Sequence, residues 1–452
     1  MRIVVEESPV RASLEALISA DSRADYVYSY PPRQAYHEFT PAVRAAVPEL
    51  ISRSLDRFDD LNLYLHVPFC RQICKFCNLY AVSDTNKDFD AYVDAVIAEA
   101  TRVADLSDRK EVTTLYLGGG TPSLLSPAQL ERLVQRMLGL FAIDPDRLPP
   151  ETALEVDPGT VDLRSLRDIR AAGINRINLG YQSMIEHEVL RLGRRRPDGA
   201  GPALLEQALQ VGFSNVCVDL IYGLQGQTDE GWLASLAQVV ALAPPTVCAY
   251  ALTLRPFTGY SKRGYSAVDG ALLYRRYDMA DQVLRDAGYR QETHVRWVRG
   301  SGGYVQKANH WGMRNVLGFG AGARSYLWEL DTRNCYSVRS RSAVLRSYLE
   351  QVNASRSPIV GGFVMSADER ERKATALNLM ALDRAWTREL LGFDPVERFA
   401  DEFSAFVELG LCTIGANVVT LTAEGVRHRD LLSQALFSRD VRARVEAFTY
   451  DE

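Results

Sequence analysis

The sequence predicts an α/β protein built on a parallel sheet, with a lead-in segment before it and a mostly helical unit after it. Between residues 61 and 252, six short apolar runs alternate with segments of helical spacing. Alternation of this kind over such a length produces a parallel sheet with crossover helices. After about residue 260 the alternation fades, and from 366 to 436 helical patterns surround only two short apolar runs. Six βα units suit either a partial barrel or an open doubly wound sheet, and periodicity does not separate the two. In both, ligands sit at the carboxyl ends of the strands.

The elements follow in order. Residues 1–58 form a lead-in, with Tyr26-Val27-Tyr28-Ser29-Tyr30 followed by Pro31-Pro32-Arg33. Paired prolines disfavour helix and predict an extended arm. Composition favours a surface connector there over an arm lying across an active-site mouth. Leu61, Leu63, Leu65 and Val67 alternate with polar positions, the period of a half-buried strand. Phe89, Tyr92, Val93, Val96, Ile97, Ala100 and Val103 then fall at helical spacing. Thr114–Leu117 is a strand ending in three glycines, and Ser126-Pro127 is a helix start, serine as cap and proline at the first turn. Strands are predicted at 152–156, 176–179, 216–221 and 247–252. Helices are predicted around 163–169, 186–192, 232–240 and 271–287. Residues 289–295 are a candidate strand, and the glycine-rich stretch 316–323 lets backbones approach closely. Cys412–Ile414 and Val418–Leu421 suggest a small hairpin among helices, a winged-helix-like unit. The expected divisions are an arm at 1–58, a sheet unit at 59–265, an extension and linker at 266–365, and a C-terminal unit at 366–452.

Composition narrows the classes. The 452 residues hold 52 Lys plus Arg against 57 Asp plus Glu, a net charge of −5. A near-neutral chain of this size lacks the basic surface that phosphate backbones demand, so no nucleic-acid partner is expected. Hydrophobic residues make up 47%, which excludes disorder as the main state. No apolar run approaches the roughly 18 residues needed to cross a bilayer, and the first residues contain no apolar signal core. A cytoplasmic protein without a membrane partner is the expectation. Its seven cysteines are then better suited to metal or redox chemistry than to a disulfide framework.

Three of them fall in eight residues: Cys70, Cys74 and Cys77, spaced C-x₃-C-x₂-C directly after the first strand. Three thiolates on one loop can hold three irons of a four-iron, four-sulfur cluster, which normally takes four cysteines. The missing fourth ligand leaves one iron open, the arrangement that separates catalytic from structural metal sites. A structural zinc would need a further ligand, and His66 is taken up by the first strand. Cys217, Cys248, Cys335 and Cys412 are scattered and are expected to be buried or incidental.

In this setting the chain resembles the radical S-adenosylmethionine superfamily, whose partial (βα)₆ barrel carries such a loop after its first strand. Tyr64–Cys70 (YLHVPFC), Gly118–Ser123 (GGGTPS), Glu155–Pro158 (EVDP), Leu179–Ser183 (LGYQS) and Asp219–Leu224 (DLIYGL) are similar to its HemN-like branch, as is Tyr28–Pro31. The resemblance implies that the open iron binds S-adenosylmethionine, and that an electron cleaves it to methionine and a 5′-deoxyadenosyl radical. It also implies an electron donor such as flavodoxin or ferredoxin. By the same resemblance the cofactor contacts are Gly118, Gly119, Gly120 and Thr121 at the strand-two turn, Glu155 after strand three, and Gln182 and Asp219 toward one or both cofactor molecules. Arg194 would hold the methionyl carboxylate, which its planar fork matches. Phe76 would shield the cluster or stack near adenine, and Tyr64 would bond to cofactor.

HemN-like proteins can hold two S-adenosylmethionine molecules. Class C radical methylases, which this chain resembles, use both and pass a methyl or methylene group to an sp² carbon of a small-molecule substrate. Methylation or cyclopropanation of a natural-product precursor is the leading expectation. The alternatives are oxygen-independent coproporphyrinogen III decarboxylation, haem degradation and haem carriage. For the carrier, His310 in Asn309-His310-Trp311 is a candidate axial ligand.

Overall fold

The structure, a computed structural model, describes residues 9–85, 87–194, 200–266, 268–337 and 340–449. Residues 1–8 of the lead-in, and Arg195 and Arg196 beside Arg194, lie outside the described residues. Six strands form the centre of the sheet: β1 (Asp60–Val67), β2 (Glu111–Gly119), β3 (Glu151–Val156), β4 (Arg176–Gln182), β5 (Asn215–Tyr222) and β6 (Thr246–Ala251). They lie side by side in chain order and every pair is parallel. Each is followed by a helix: Phe89–Ala104, Pro127–Phe141, Leu163–Ala171, Ala200–Gln210, Asp229–Leu242 and Gly270–Asp286. This is the expected α/β architecture of six βα units.

Local chemistry sets the boundaries. Asp88 and Thr228 cap their helices by accepting from the backbone N–H of Ala91 and Gly231. Ser126 and Gln129 form a reciprocal capping box, with Pro127 at the first helical position. After β4 the expected helix at 186–192 is real but short, Glu186–Arg191. The crossover back to β5 is made by Ala200–Gln210, which the sequence reading did not separate.

The sheet does not stop at six strands. Beyond β6, Arg296–Val298 and Arg290–Thr293 add antiparallel. Beyond β1, Val316–Phe319 adds parallel, so the glycine-rich stretch is a strand. Arg324–Tyr326, Leu330–Asn334, Ile359–Val364 and His37–Glu38 continue antiparallel from it, giving thirteen strands among the described residues. Residues 290–364, expected as extension and linker, therefore widen the sheet at both edges.

The lead-in is not a surface arm. It contains the helices Pro9–Ser19 and Pro41–Asp56, and Leu14 of the first packs into a core with Phe403, Phe406 and Leu432 of the C-terminal unit. The stretch between them is mostly irregular, and its centre is buried: Tyr30 is 0% exposed. Its backbone is held by distant groups. Arg429, also 0% exposed, donates to Val27 O (2.7 Å) and Leu377 O (3.0 Å) and pairs with Asp430 (2.9 Å). Trp311 Nε1 donates to Tyr28 O at 2.9 Å. These partners lie hundreds of residues away in sequence, which is why local composition pointed to the surface. The C-terminal hairpin Cys412–Ile414 and Val418–Leu421 is present and gains a third strand, Ala381–Asp383. No helix among the described residues is long and apolar enough to cross a membrane.

Arg429→Ala is expected to lower the unfolding free energy by about 3 kcal/mol, because it strands buried carbonyls and removes a partner of Asp430. Guanidinium denaturation measures this. A loss under 1 kcal/mol would mean that the arm is held by its apolar contacts alone.

Candidate active site

The carboxyl ends of β1–β6 open into one chamber of about 1140 Å³. Tyr64 and His66 (β1), Tyr116 and Gly119 (β2), Glu155 (β3), Asn178 (β4), Asp219 (β5) and Tyr250 (β6) line it from the sheet. Phe76 and Cys77 of the cysteine loop border one part of the wall, and Tyr26 and Tyr28 of the buried lead-in border another. The arm thus lies at the site, against the surface-connector expectation, because the C-terminal helices pin it there.

Cys70 and Cys74 are buried, Cys77 is half-buried, and none is in a disulfide. Thr121 Oγ1 lies 3.4 Å from Cys70 Sγ and donates to it. Arg194 Nε donates to Cys74 Sγ at 2.9 Å, while its Nη1 donates to Gly180 O and lies 3.9 Å from Asp157. The guanidinium expected at a cofactor carboxylate therefore stands beside the cysteine loop; burial pushes the Cys70 thiol up to about 12 and Cys77 up, and the Arg194 charge acts against this.

The donor set fits a cluster better than a single ion. Three thiolates on one zinc would sit about 3.8 Å apart, given Zn–S bonds of ~2.3 Å. The three sulfurs here are not all within 4.8 Å of one another. His66 cannot complete a zinc site as placed, since its Nε2 is 2.9 Å from Tyr80 O and its Nδ1 is 3.0 Å from Tyr64 OH. Burial lowers the His66 pKa to about 4, so the ring is neutral.

The glycines at the end of β2 serve internal packing. A Cβ on Gly119, whose φ is +118°, would sit 2.7 Å from the His66 ring. One on Gly120 would sit 2.6 Å from Phe69 O, and one on Gly118 would sit 2.8 Å from the Tyr116 ring. Of the three only Gly119 lines the chamber. Its N–H donates to Glu155 Oε2 at 2.9 Å, and Tyr116 OH donates to Glu155 Oε1 at 3.0 Å. Glu155 is thus positioned by β2. Burial pushes its pKa up, against these two donors. Asp219 faces the chamber from β5, and burial, then the neighbouring Cys248 and Glu155, pushes its pKa well up.

Gln182 ends β4 with φ +66°, and neither it nor Arg194 lines the chamber directly. Gly118, Gly120 and Thr121 are also behind the wall. Of the expected cofactor contacts, the structure brings Tyr64, Phe76, Gly119, Glu155 and Asp219 together in the chamber, and sets Arg194 and Thr121 on the cysteines.

Two features escaped the sequence reading. Cys217 and Cys248 are buried neighbours, Sγ to Sγ 3.7 Å, and with half-buried Asp219 form a compact group on β5 and β6. The strand register places Asp219 beside Cys248, and only register reveals that. Arg33, Arg296, Arg324 and Arg333 also converge on the chamber from four separate segments.

Residues 64–239 match the Radical SAM superfamily family model. The chain is 31% identical over 283 residues to the heme chaperone HemW of Escherichia coli strain K12, covering 62% of this chain and 74% of that one. It is 28% identical over 398 residues to the oxygen-independent coproporphyrinogen III oxidase of the same strain, covering 81% and 82%. The solved structure of coproporphyrinogen III oxidase (HemN) from Escherichia coli superposes with a TM-score of 0.77 at 24% identity, covering 93% of this chain and 98% of that one.

Replacing Cys70, Cys74 or Cys77 singly with Ala is expected to abolish the broad visible absorption of the reconstituted protein. Cys217→Ala and Cys248→Ala should retain it. Visible spectra with iron and sulfide analysis decide the assignment, and retained colour in a Cys74→Ala protein would reject it. With its cysteine loop, its parallel strands and these relatives, the chain belongs to the radical S-adenosylmethionine superfamily, in the HemN-like branch, and its cofactors are a [4Fe–4S] cluster and S-adenosylmethionine.

Proposed function

We propose that this chain binds two S-adenosylmethionine molecules and transfers a methyl or methylene group to an sp² carbon of a flat, conjugated small molecule. The observation that carries this is the single chamber of about 1140 Å³ running from the cysteine loop to an aromatic wall of Tyr26, Tyr28, Tyr304 and Tyr326. Sites for one drug-sized ligand span roughly 300–1,000 Å³, so this volume supports more than one occupant. Aromatic walls favour stacking against a planar π-system. In this family the cofactor at the cluster supplies a 5′-deoxyadenosyl radical.

The chain's own residues would then bind and orient. Cys70, Cys74 and Cys77 would hold the cluster, with Arg194 stabilising thiolate charge. Glu155, oriented by Gly119 and Tyr116, would receive a cofactor ammonium or hydroxyl group. Asp219 offers a second polar anchor across the chamber. Phe76 would cover the cluster side. A reduced flavodoxin- or ferredoxin-type protein would supply electrons.

A second reading, tetrapyrrole binding, has its own observation. His310 lines the chamber, is 1% exposed, and has no hydrogen-bond partner on either ring nitrogen. Burial, then Lys373 and Arg324, pushes its pKa well down, so it is a neutral imidazole able to ligate iron. The relatives named as a heme chaperone and a coproporphyrinogen oxidase make a porphyrin a reasonable occupant.

The test is made on anaerobically reconstituted, reduced protein, with mass spectrometry of 5′-deoxyadenosine and S-adenosylhomocysteine together. Methyl or methylene transfer requires both, in comparable amounts, once a substrate is present. 5′-Deoxyadenosine without S-adenosylhomocysteine during product formation would refute it and favour decarboxylation. Asp219→Ala is expected to depress S-adenosylhomocysteine at least tenfold with an unchanged melting temperature. A haem titration that shifts the Soret band in the parent protein and not in His310→Ala would support the second reading.

A further inference from the structure

The chamber lining includes the carboxylates Asp25, Glu155, Asp219 and Glu446, yet several of its guanidiniums, Arg442 on Ala435 O among them, form no ion pair among the described residues. Of the guanidiniums lining it, Arg255 pairs with Asp25 at 2.7 Å and Arg296 with Glu292 at 3.1 Å. Arg33, Arg324 and Arg333 have no carboxylate partner among the described residues. Arg33 Nη1 only donates to Tyr336 OH, at 3.2 Å. Arg333 stacks on the Tyr336 ring, 5.2 Å from its centroid, and its Nε is buried without a hydrogen bond. Arg324 lies 5.5 Å from the Tyr326 ring centroid, within electrostatic range of Tyr36, Tyr28 and Tyr64. The nearby carboxylate, Asp331, is already engaged by Lys373 at 3.3 Å and by Tyr36 OH at 3.0 Å.

The three are close enough to oppose one another. Burial lowers the Arg333 pKa, and Arg324 and Arg33 lower it further. Sequestered like charges without counter-charge are costly, and an arriving anion relieves that cost. The same part of the chamber holds His310, 1% exposed, its ring stacked on Tyr28 at 5.7 Å and packed on Tyr326 at 4.2 Å, with both nitrogens unpartnered. Unmet donors of two kinds therefore face one space.

We propose that Arg324, Arg333 and Arg33 form an organic-carboxylate site in the chamber, with His310 as its neutral hydrogen-bonding neighbour. The guanidinium fork matches a carboxylate in two-point contact. Two molecules could bring that group: a second S-adenosylmethionine, through its methionyl carboxylate, or the substrate, through a carboxylate of its own. The site rests on the two-cofactor reading only for the first of these sources.

The experiment uses the full chain with its cluster. Labelled S-adenosylmethionine bound per chain is counted by equilibrium dialysis in the parent, Arg324→Gln and Arg333→Gln proteins. In parallel, coproporphyrin III, a porphyrin tetracarboxylate, is compared with its tetramethyl ester by fluorescence titration. A fall from two bound cofactors to one in Arg324→Gln, with 5′-deoxyadenosine formation retained, assigns the site to the cofactor. Two cofactors retained, with the parent's preference for acid over ester reduced about tenfold or more, assigns it to the substrate; loss of one charge-assisted contact has about that magnitude. If Arg324→Gln does not fold, Arg333→Gln carries both arms. Variants that keep their cluster, melting temperature, cofactor count and acid preference overturn the proposal. A parent protein that binds one cofactor defeats the two-cofactor reading, and the porphyrin arm then decides the site alone: loss of acid preference in Arg324→Gln upholds it, and no preference in the parent overturns it.

Discussion

The site depends on how closely the end of β2 lies against the start of the cysteine loop. Gly120 passes so near Phe69 O and Pro68 that any Cβ there would be within 3 Å of backbone. Backbone cannot rotate away as a side chain can, so this approach admits only glycine. Two consequences follow. Thr121, the next residue, is brought to Cys70 Sγ, and Gly119 N–H is brought to Glu155. One backbone contact thus joins the cluster loop, the second strand and the carboxylate on the third strand into a single wall.

Electrostatics divides the chamber into two regions of different character. Around the cysteine loop several polar groups are satisfied by the protein, Glu155 by two donors, Arg194 by a sulfur and a carbonyl, His66 by Tyr80 and Tyr64, although Asn178 Oδ1 on β4 is not. Where the strands beyond β1 meet the lead-in, guanidiniums and an imidazole are left without anionic or accepting partners. A folded chain accepts unmatched buried charge only against its stability. The contrast between a satisfied region and an unsatisfied one supports a division of labour within one cavity, the first pre-organised and the second awaiting a ligand.

Sequence periodicity revealed what is local. Leu61, Leu63, Leu65 and Val67, or Ser126-Pro127, report their own conformations because strand alternation and helix capping act over a few residues. The cysteine spacing was legible for the same reason: three ligands on one loop need no tertiary information. What escaped was long-range. Tyr28 looks like a surface residue until Trp311 takes its carbonyl and Arg429 takes that of Val27. Cys217 and Cys248 look incidental until parallel register sets them on adjacent strands. Val316–Phe319 reads only as part of a glycine-rich stretch that lets backbones approach until it pairs with β1. Arg33, Arg324 and Arg333 carry no common motif, and only folding makes them a cluster. Arg194 was found by motif and its neighbour was not: it points to Cys74.

The lead-in shows why the C-terminal unit belongs to any account of the site. Tyr26 and Tyr28 form part of the chamber wall, yet neither is held there by the central strands alone. Asp430 accepts from Val27 N–H at 3.0 Å and lies 2.9 Å from His294 Nε2, next to the sheet edge. Arg429, one residue earlier, takes Val27 O. A single pair of neighbouring residues on a C-terminal helix thus clamps the N–H and the C=O of one residue in the arm. The clamped residue sits between two wall tyrosines, so that helix helps to hold them in place. Tyr26 and Tyr28 are therefore held in part by the C-terminal unit, while Tyr326 of the same wall stands on the sheet and the cysteine loop follows β1.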